Sequence, residues 1–195
     1  MKNIITISRE FGAGGGTIGE AVAERLGYYY CDRDIIARAA AQSGSLTAEE
    51  IRSFDEKVPV EFGIGQSLFD FYNKPLDEKV FNAQREAIKK VAEGGNCVIV
   101  GRNANIILQE YDRSLHVFIS ASEYFRVKRM TERLAPTTEK KVTDLLHSVD
   151  KTRKKHCRHY TGTEFGNAAY YDLCLRSSTI GIDGCVDLIC ELARK

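Results

Sequence analysis

The chain has 195 residues, 43% of them hydrophobic, with 28 basic and 27 acidic side chains and a net charge of +1. That length supports one α/β domain with a sizeable core and room for an inserted subdomain. The even charge balance argues against a phosphate-backbone role on nucleic acid, and no apolar run reaches the roughly 18 residues of a membrane span. The start, MKNIITISRE, lacks the charged and then apolar regions of a signal peptide, which points to the cytoplasm. Cys31, Cys97, Cys157, Cys174, Cys185 and Cys190 form no C-x-x-C pair. They are expected as reduced thiols, four of them small core residues in apolar runs.

In chain order, NIITIS is apolar and β-branched and predicts a buried parallel strand. After a glycine-rich loop, TIGEAVAERLG places Ile18, Ala21, Val22 and Leu26 at helical spacing, with Gly27 as the stop. YYYCD predicts a second strand, and RDIIARAAAQSG a helix closed by Gly44. LTAEEIRSFDEKV predicts another helix, with Thr47 and Glu50 as a capping box. Residues 59–75 hold two of the three prolines and aromatics without clear period, and read as an irregular segment over a substrate site. LDEKVFNAQREAIKKVAEGG is a long amphipathic helix, and NCVIVG and SLHVFISA are buried strands. SEYFRVKRMTERL and residues 137–157 are helices, followed by the loop RHYTGTEFGNAAYY, the strand DLCLRSS and the closing helix IGIDGCVDLICELARK. Strands alternating with helices predict a parallel sheet with helices on both faces and ligands at the strand carboxyl ends.

The stretch ISREFGAGGGTIGEAVAERLG carries the chemistry. A phosphate-binding loop needs glycines that turn backbone N–H groups inward, a helix N-terminus aimed at the anion, and a cation and a hydroxyl for the terminal phosphates and magnesium. Gly12, Gly14, Gly15 and Gly16, with Ala13 among them, meet the first demand, and Thr17 offers the hydroxyl at the helix start. Set against G-x-x-x-x-G-K-G-T, a variant of the usual G-x-x-x-x-G-K-[ST], Arg9 stands at the first glycine, Gly15 at the lysine and Thr17 at the threonine. A ligand-free turn is the alternative, but four glycines cost backbone entropy that a plain strand-to-helix turn does not require. Some other cation must then replace the lysine. Arg9 is nearest in sequence, and arginines of a mobile lid are the other candidates.

Beyond the loop, an ordered set of blocks resembles the cytidylate kinase-like family, in its branch with a lysine-less S-R-E-F-G-A-G-G loop. SREFGAGG, the Asp32 to Arg38 spacing in YYYCDRDIIAR, the Gly101–Arg102 pair in VIVGRNANIIL, HVFISASEYFRVKR, DKTRKKHCRHYTG and DLCLRSSTIGIDGCVDLI carry the likeness over about residues 4–192. It implies a P-loop NTPase-like sheet of about five strands in a single domain over residues 1–195, with a helical acceptor-site insertion at about 33–95 and a lid at about 150–170. It also implies ATP and Mg²⁺. Asn103 and Asn105 stand where relatives carry aspartates, and an amide can donate as well as accept.

The expected roles follow. Gly12, Ala13, Gly14, Gly15, Gly16, Thr17, Arg126 and Arg129 bind the nucleotide, with Thr17 also a magnesium ligand. Arg9, Arg153 and Arg158 neutralise the transferring phosphoryl group, because planar guanidinium groups suit that charge better than lysine does. Asp32, Arg38, Arg102, Asn103 and Asn105 hold the acceptor, and Asp150 orients a lid arginine or magnesium. Lys151, Arg153, Lys154, Lys155 and Arg158, flanked by His156 and His159, form the basic lid, although such a run is also what a solvated helix face looks like. HCRH lacks further ligands for zinc. Phe69, Phe71 and Tyr72 read as core or dimer contact rather than a base-stacking site. The expected activity is ATP-dependent phosphoryl transfer to a small nucleotide or metabolite acceptor, such as CMP or dCMP. The alternative is a regulatory nucleotide-binding module with little or no catalysis. The long amphipathic helices make a homodimer reasonable.

Overall fold

The computed structural model describes residues 1–42, 47–49, 51, 67–134 and 137–195, with residues 67–77 described by backbone alone. Five strands form one sheet: β1 (Ile4–Arg9), β2 (Tyr29–Cys31), β3 (Cys97–Val100), β4 (Ser114–Ser120) and β5 (Leu173–Arg176), in the order β2-β3-β1-β4-β5. Every pairing is parallel, with Ile4 opposite Cys97 on one side of β1 and Ser114 on the other. The connection from β1 runs one way across the sheet and that from β4 the other. The order therefore reverses between β1 and β4, and a crevice opens at the carboxyl end of β1.

β1 sits at the centre because its alternating side chains are buried on both faces. Ile5 and Ile7 enter a core with Val98, Val100, Leu115 and Val117, closed by α1 (Gly15–Leu26) and α7 (Ser177–Arg194). Ile4 enters the opposite core with Cys31, Cys97 and Ile99, closed by α2 (Arg33–Gln42), α3 (Ser67–Gly94) and the single turn α4 (Ala104–Ile107). Each such buried side chain contributes on the order of 1.5–3 kcal/mol. Beside Ile4, β1 also turns two polar residues inward. Thr6 Oγ1 lies 2.8 Å from His116 Nδ1, and Ser8 donates to Asn105 Oδ1 at 3.2 Å. α5 (Glu123–Arg133) and α6 (Glu139–Thr161) pack on one another beyond β4, capped by Ser122 and Thr138.

The strands lie where the sequence places them, and several helices differ. α3 begins at Ser67 and runs through Pro75, where a missing N–H and a ring clash usually stop a helix. The side chains of Phe69, Phe71 and Tyr72, residues 59–66 and Gly44 lie outside the described residues. Of the helix expected after Gly44, the described part is one helical bond from Ile51 N–H to the Thr47 carbonyl. α4 was not expected, since one turn carries no periodic signal. α6 continues to Thr161, and α7 is broken at Gly181 by a φ of 77° and ψ of 168°. Five of the cysteines are buried and Cys174 is exposed, and none is in a disulfide. No helix among the described residues is long and apolar enough to cross a membrane.

Gly19 sets how closely α1 lies on the sheet. A Cβ there would stand 2.8 Å from Val100 Cγ2 and 3.3 Å from the Tyr30 ring. Val100 is buried and has nowhere to move. Gly19→Ala is therefore expected to lower stability by about 1–3 kcal/mol through overpacking, despite the better helix propensity of alanine. Urea unfolding checks this, and an unchanged midpoint would contradict it.

Candidate active site

The glycine loop links the carboxyl end of β1 to the amino end of α1. Gly12 has φ of 80° and Gly14, the residue before α1, φ of 88°. No side chain caps α1. Its first-turn N–H groups are therefore left for an anion, at the positive end of the helix dipole. The loop is held from behind by Asp150 on α6, which accepts from Phe11 N–H at 2.8 Å and from Arg126 Nη1 at 2.5 Å. Arg126 also donates to the Phe11 carbonyl at 3.2 Å. Glu10 accepts from Ala121 N–H at 3.0 Å, which ties the loop to the end of β4.

The conformation of Arg9 accounts for the absent lysine. Its stem lies against Gly15, where a Cβ would come within 2.6 Å of Arg9 Cβ and 2.7 Å of Cγ. Arg9 Cβ is fixed by the backbone and cannot swing aside. No side chain, lysine included, fits at position 15 while Arg9 takes this path. Its guanidinium then passes over Gly101, where a Cβ would collide with Nη1. Gly101 also has φ of 86°, a conformation that favours glycine, and a side chain there would push the guanidinium off this path. Arg9 thus reaches from the first position of the loop into the region of the missing cation.

Around it lie more arginines. Arg153 on α6 donates to the Arg9 carbonyl at 2.9 Å, sits 3.9 Å from Asp150 and lies over the Phe11 ring at 5.7 Å. Burial, then Arg153 and Arg102, pushes Arg9 down to about 9. Burial lowers Arg153 to about 10, partly offset by Asp150, with Arg102 and Arg126 adding to the drop. Both stay charged at neutral pH. Among the described residues no carboxylate forms an ion pair with Arg9. On the opposite wall, Arg129 and Arg133 donate to Thr17 Oγ1 at 2.8 and 3.4 Å. Together these groups enclose a cleft of about 150 Å³, lined by the loop, Thr17, Met130 and four arginines, with Glu10 its one acidic residue. Drug-sized pockets start near 300 Å³, so a space of this size is small for a whole nucleotide.

Magnesium would find the Thr17 hydroxyl here and few other protein ligands, since Glu10 and Asp150 are already engaged. Among the described residues no three His, Cys, Asp or Glu side chains gather as a metal site. That fits an ion held mainly by phosphate oxygens and water, once Arg129 and Arg133 turn from Thr17 to the phosphates.

Beside the cleft, β3 ends in three consecutive left-handed residues: Gly101, Arg102 with φ of 59° and Asn103 with φ of 53°. Two of them are not glycine, and such strain gathers at functional sites. The segment is pinned by Gly101 N–H to the Ile7 carbonyl at 3.0 Å and Ala104 N–H to the Gly101 carbonyl at 3.1 Å. Arg102 acts electrostatically on Arg9, Arg153 and His156. Asn103 Nδ2 lies 3.2 Å from His156 Nδ1.

The cleft brings together Arg9, Gly12, Gly14, Gly15, Gly16, Thr17, Arg129 and Arg153 as expected. Ala13 is buried beneath the loop, in the core with α1. Other expected site residues lie elsewhere. Arg126 is paired behind the loop rather than in the cleft, because Asp150 and Phe11 use its guanidinium. Arg158 is exposed and paired with Glu164, on the part of α6 that has passed the loop. Asn105 is buried and held between Ser8 and the Tyr170 carbonyl. Asp32 caps α2 by accepting from Asp34 and Ile35 N–H at 2.9 and 3.0 Å, and Arg38 is exposed on that helix. Residues 150–161 continue helix α6, and the loop after them packs on the sheet, with Phe118 against Phe165 and Tyr171. Sequence reasoning missed Arg133, which its position four residues after Arg129 on α5 could have signalled. It also missed the contact of His156 with Asn103, which no local pattern encodes.

The fold is that of P-loop kinases. A solved structure of an uncharacterized protein from Eubacterium ventriosum is similar over 98% of both chains, with a TM-score of 0.76 and 24% identity. Shikimate kinase from Bacteroides thetaiotaomicron is similar over the whole of both chains, with a TM-score of 0.59 and 15% identity. Cytidylate kinase of Pyrococcus furiosus is 26% identical over 181 residues, 93% of this chain and 83% of that protein. The cytidylate kinase-like family matches residues 4–179, and the chain belongs to that family.

Two outcomes follow from the charges. Tripolyphosphate at 100 times its Kd is expected to stabilise the protein by about 2.7 kcal/mol, and Arg9→Met to remove most of that gain without lowering the stability of the free protein. Thermal unfolding with and without tripolyphosphate measures both, and equal gains in the two proteins would contradict the assignment of Arg9. The second outcome concerns pH. Burial, Arg102 and His159 lower His156 to about 4. The folded protein therefore holds it neutral while the unfolded chain takes up a proton below about 6.5. Stability from this group is full above that pH and lost as pH falls toward 4, by at most about 1.4 kcal/mol per pH unit. His156→Phe should flatten the stability curve between those values, and parallel curves for the two proteins would contradict it.

Proposed function

We propose that this protein transfers the γ-phosphoryl group of ATP to a small acceptor, a nucleoside monophosphate such as CMP or dCMP. The observation that carries the reading is the cleft itself: a helix N-terminus and glycine loop facing four arginines, with Arg9 threaded between Gly15 and Gly101 in place of the lysine. Membership of the cytidylate kinase-like family and the cytidylate kinase relative support the same chemistry.

Phosphoryl transfer asks the protein for positioning and charge neutralisation rather than covalent chemistry. In this reading the N–H groups from Gly12 to Thr17 wrap the phosphates. Arg9 and Arg153 approach the terminal phosphate from the β1 and α6 sides, and Arg129 and Arg133 from α5. Magnesium, when bound, supplies charge neutralisation between the terminal phosphates, with Thr17 as its protein ligand. Arg102 and Asn103 are presented toward the acceptor by the left-handed segment after β3. A fixed guanidinium at a developing charge is worth several kcal/mol in a site of reduced water access.

The test is ADP release with ATP and Mg²⁺ across nucleoside monophosphates and small hydroxylated metabolites. The expected result is acceptor-dependent release with CMP or dCMP. Arg9→Ala should lower kcat/KM by about 10²-fold or more, with ATP bound more weakly but still measurably by calorimetry. Release with a different acceptor would keep the kinase and discard the nucleotide. Silence across the panel with intact ATP binding would favour the regulatory nucleotide-binding module instead.

A further inference from the structure

His156 lies outside the phosphate cleft, yet it touches the one segment among the described residues with three successive left-handed residues. Its Nδ1 is 3.2 Å from Asn103 Nδ2. An amide nitrogen has hydrogens to give and no lone pair to offer, so Nδ1 must accept and the imidazole proton resides on Nε2. The contact removes an ambiguity that Asn103 would otherwise have. A free asparagine presents either end of its amide, and a rotated one would read the opposite hydrogen-bonding pattern. With one N–H of Nδ2 given to His156, the amide is held with Oδ1 turned away from the imidazole, and among the described residues nothing donates to that oxygen. A ligand reaching Oδ1 would therefore meet Asn103 as an acceptor.

The imidazole is itself fixed. Its ring lies 4.7 Å from Tyr160 and 6.1 Å from Phe81, centroid to centroid, and those two rings stack on each other at 4.3 Å with an 11° tilt. The titratable and charged neighbours are Arg102 and His159, and both oppose protonation, as does burial. A protonated His156 would turn a second donor toward the amide N–H₂ and force it to rotate. Neutrality and orientation are thus maintained by the same surroundings.

Resting on the reading of residues 101–103 as part of the acceptor site, we propose that His156 is a positioning residue. It holds the Asn103 amide so that its carbonyl oxygen accepts from the acceptor's base, which selects a nucleoside monophosphate carrying an exocyclic amino group over one with a carbonyl at that place. The aspartate-to-asparagine difference at position 103 then preserves amino-group recognition, because His156 restricts the amide to its accepting end.

Three proteins and two readouts test this: wild type, His156→Phe, which keeps a ring without an acceptor, and His156→Gln, which restores an acceptor without a ring. Equilibrium binding of CMP and of UMP is measured by calorimetry, independently of turnover, and imidazole ¹⁵N shifts report the tautomer of His156 in the free protein. The expected result is a CMP preference that falls about tenfold in His156→Phe, recovers in large part in His156→Gln, and leaves ATP affinity unchanged, with Nδ1 unprotonated in wild type. An unchanged CMP to UMP ratio in a folded His156→Phe protein, or a protonated Nδ1, would overturn the role of His156 and leave the kinase standing. Wild type that binds CMP and UMP equally while turning over would overturn the selection rule alone. Wild type that binds neither nucleotide would overturn both this proposal and the acceptor class.

Discussion

Arg9 and position 15 compete for one volume. The stem of Arg9 occupies the space that any Cβ at position 15 would need, and its guanidinium occupies the space above position 101. A chain that runs arginine along this path from the end of β1 must therefore place glycine at position 15, and glycine at 101 leaves the guanidinium room to pass. In doing so it gives up the lysine that the usual loop carries at position 15. The rearrangement keeps a cation near the loop but changes its origin. The charge now comes from the strand rather than from the first turn of α1. Because that strand is the centre of the sheet, with Ile5 and Ile7 fully buried, the base of the side chain is anchored more firmly than a residue on a loop would be.

The price of this arrangement is a concentration of like charge. Arg153 and Arg102 depress Arg9, Arg102 also depresses Arg153, and no carboxylate among the described residues pairs with Arg9. An anion placed among them relieves that repulsion, and binding energy is thereby stored in the free protein. The carboxylates nearby serve a different end. Asp150 holds the Phe11 amide and Arg126, and Glu10 holds the start of the turn after β4. They shape the loop and leave the cationic face uncancelled. The left-handed segment 101–103 belongs to the same design, since it carries the glycine that Arg9 crosses and then presents Arg102 and Asn103.

Much of this was legible in the sequence, for reasons that differ by element. β1 and β3 could be read because strands buried on both faces are rich in apolar and β-branched residues, as IITI and CVIV are. The loop could be read because four glycines before a helix have few other uses. The reach of Arg9 could be suspected from proximity, but its exclusion of a side chain at position 15 is a matter of ångströms. Asn105 and Arg126 matched a pattern by position. Position does not give direction, and one side chain turns to Ser8 while the other turns to Asp150. Arg158 looked like its neighbour Arg153, yet five residues along a helix rotate a side chain well off the original face, toward Glu164 and solvent. α4 and the first turns of α3 escaped because one turn has no period and because Pro75 argued for a break.

The central claim is that Arg9 does what the loop lysine does elsewhere, and the most direct measurement is a crystal structure with Mg²⁺ and a non-hydrolysable ATP analogue. The Arg9 guanidinium is expected within hydrogen-bonding distance of the β- or γ-phosphate oxygens, still crossing Gly101, with Thr17 released from Arg129 and Arg133 to face the metal. Phosphates seated on the loop with Arg9 turned away, and another cation in that place, would contradict it.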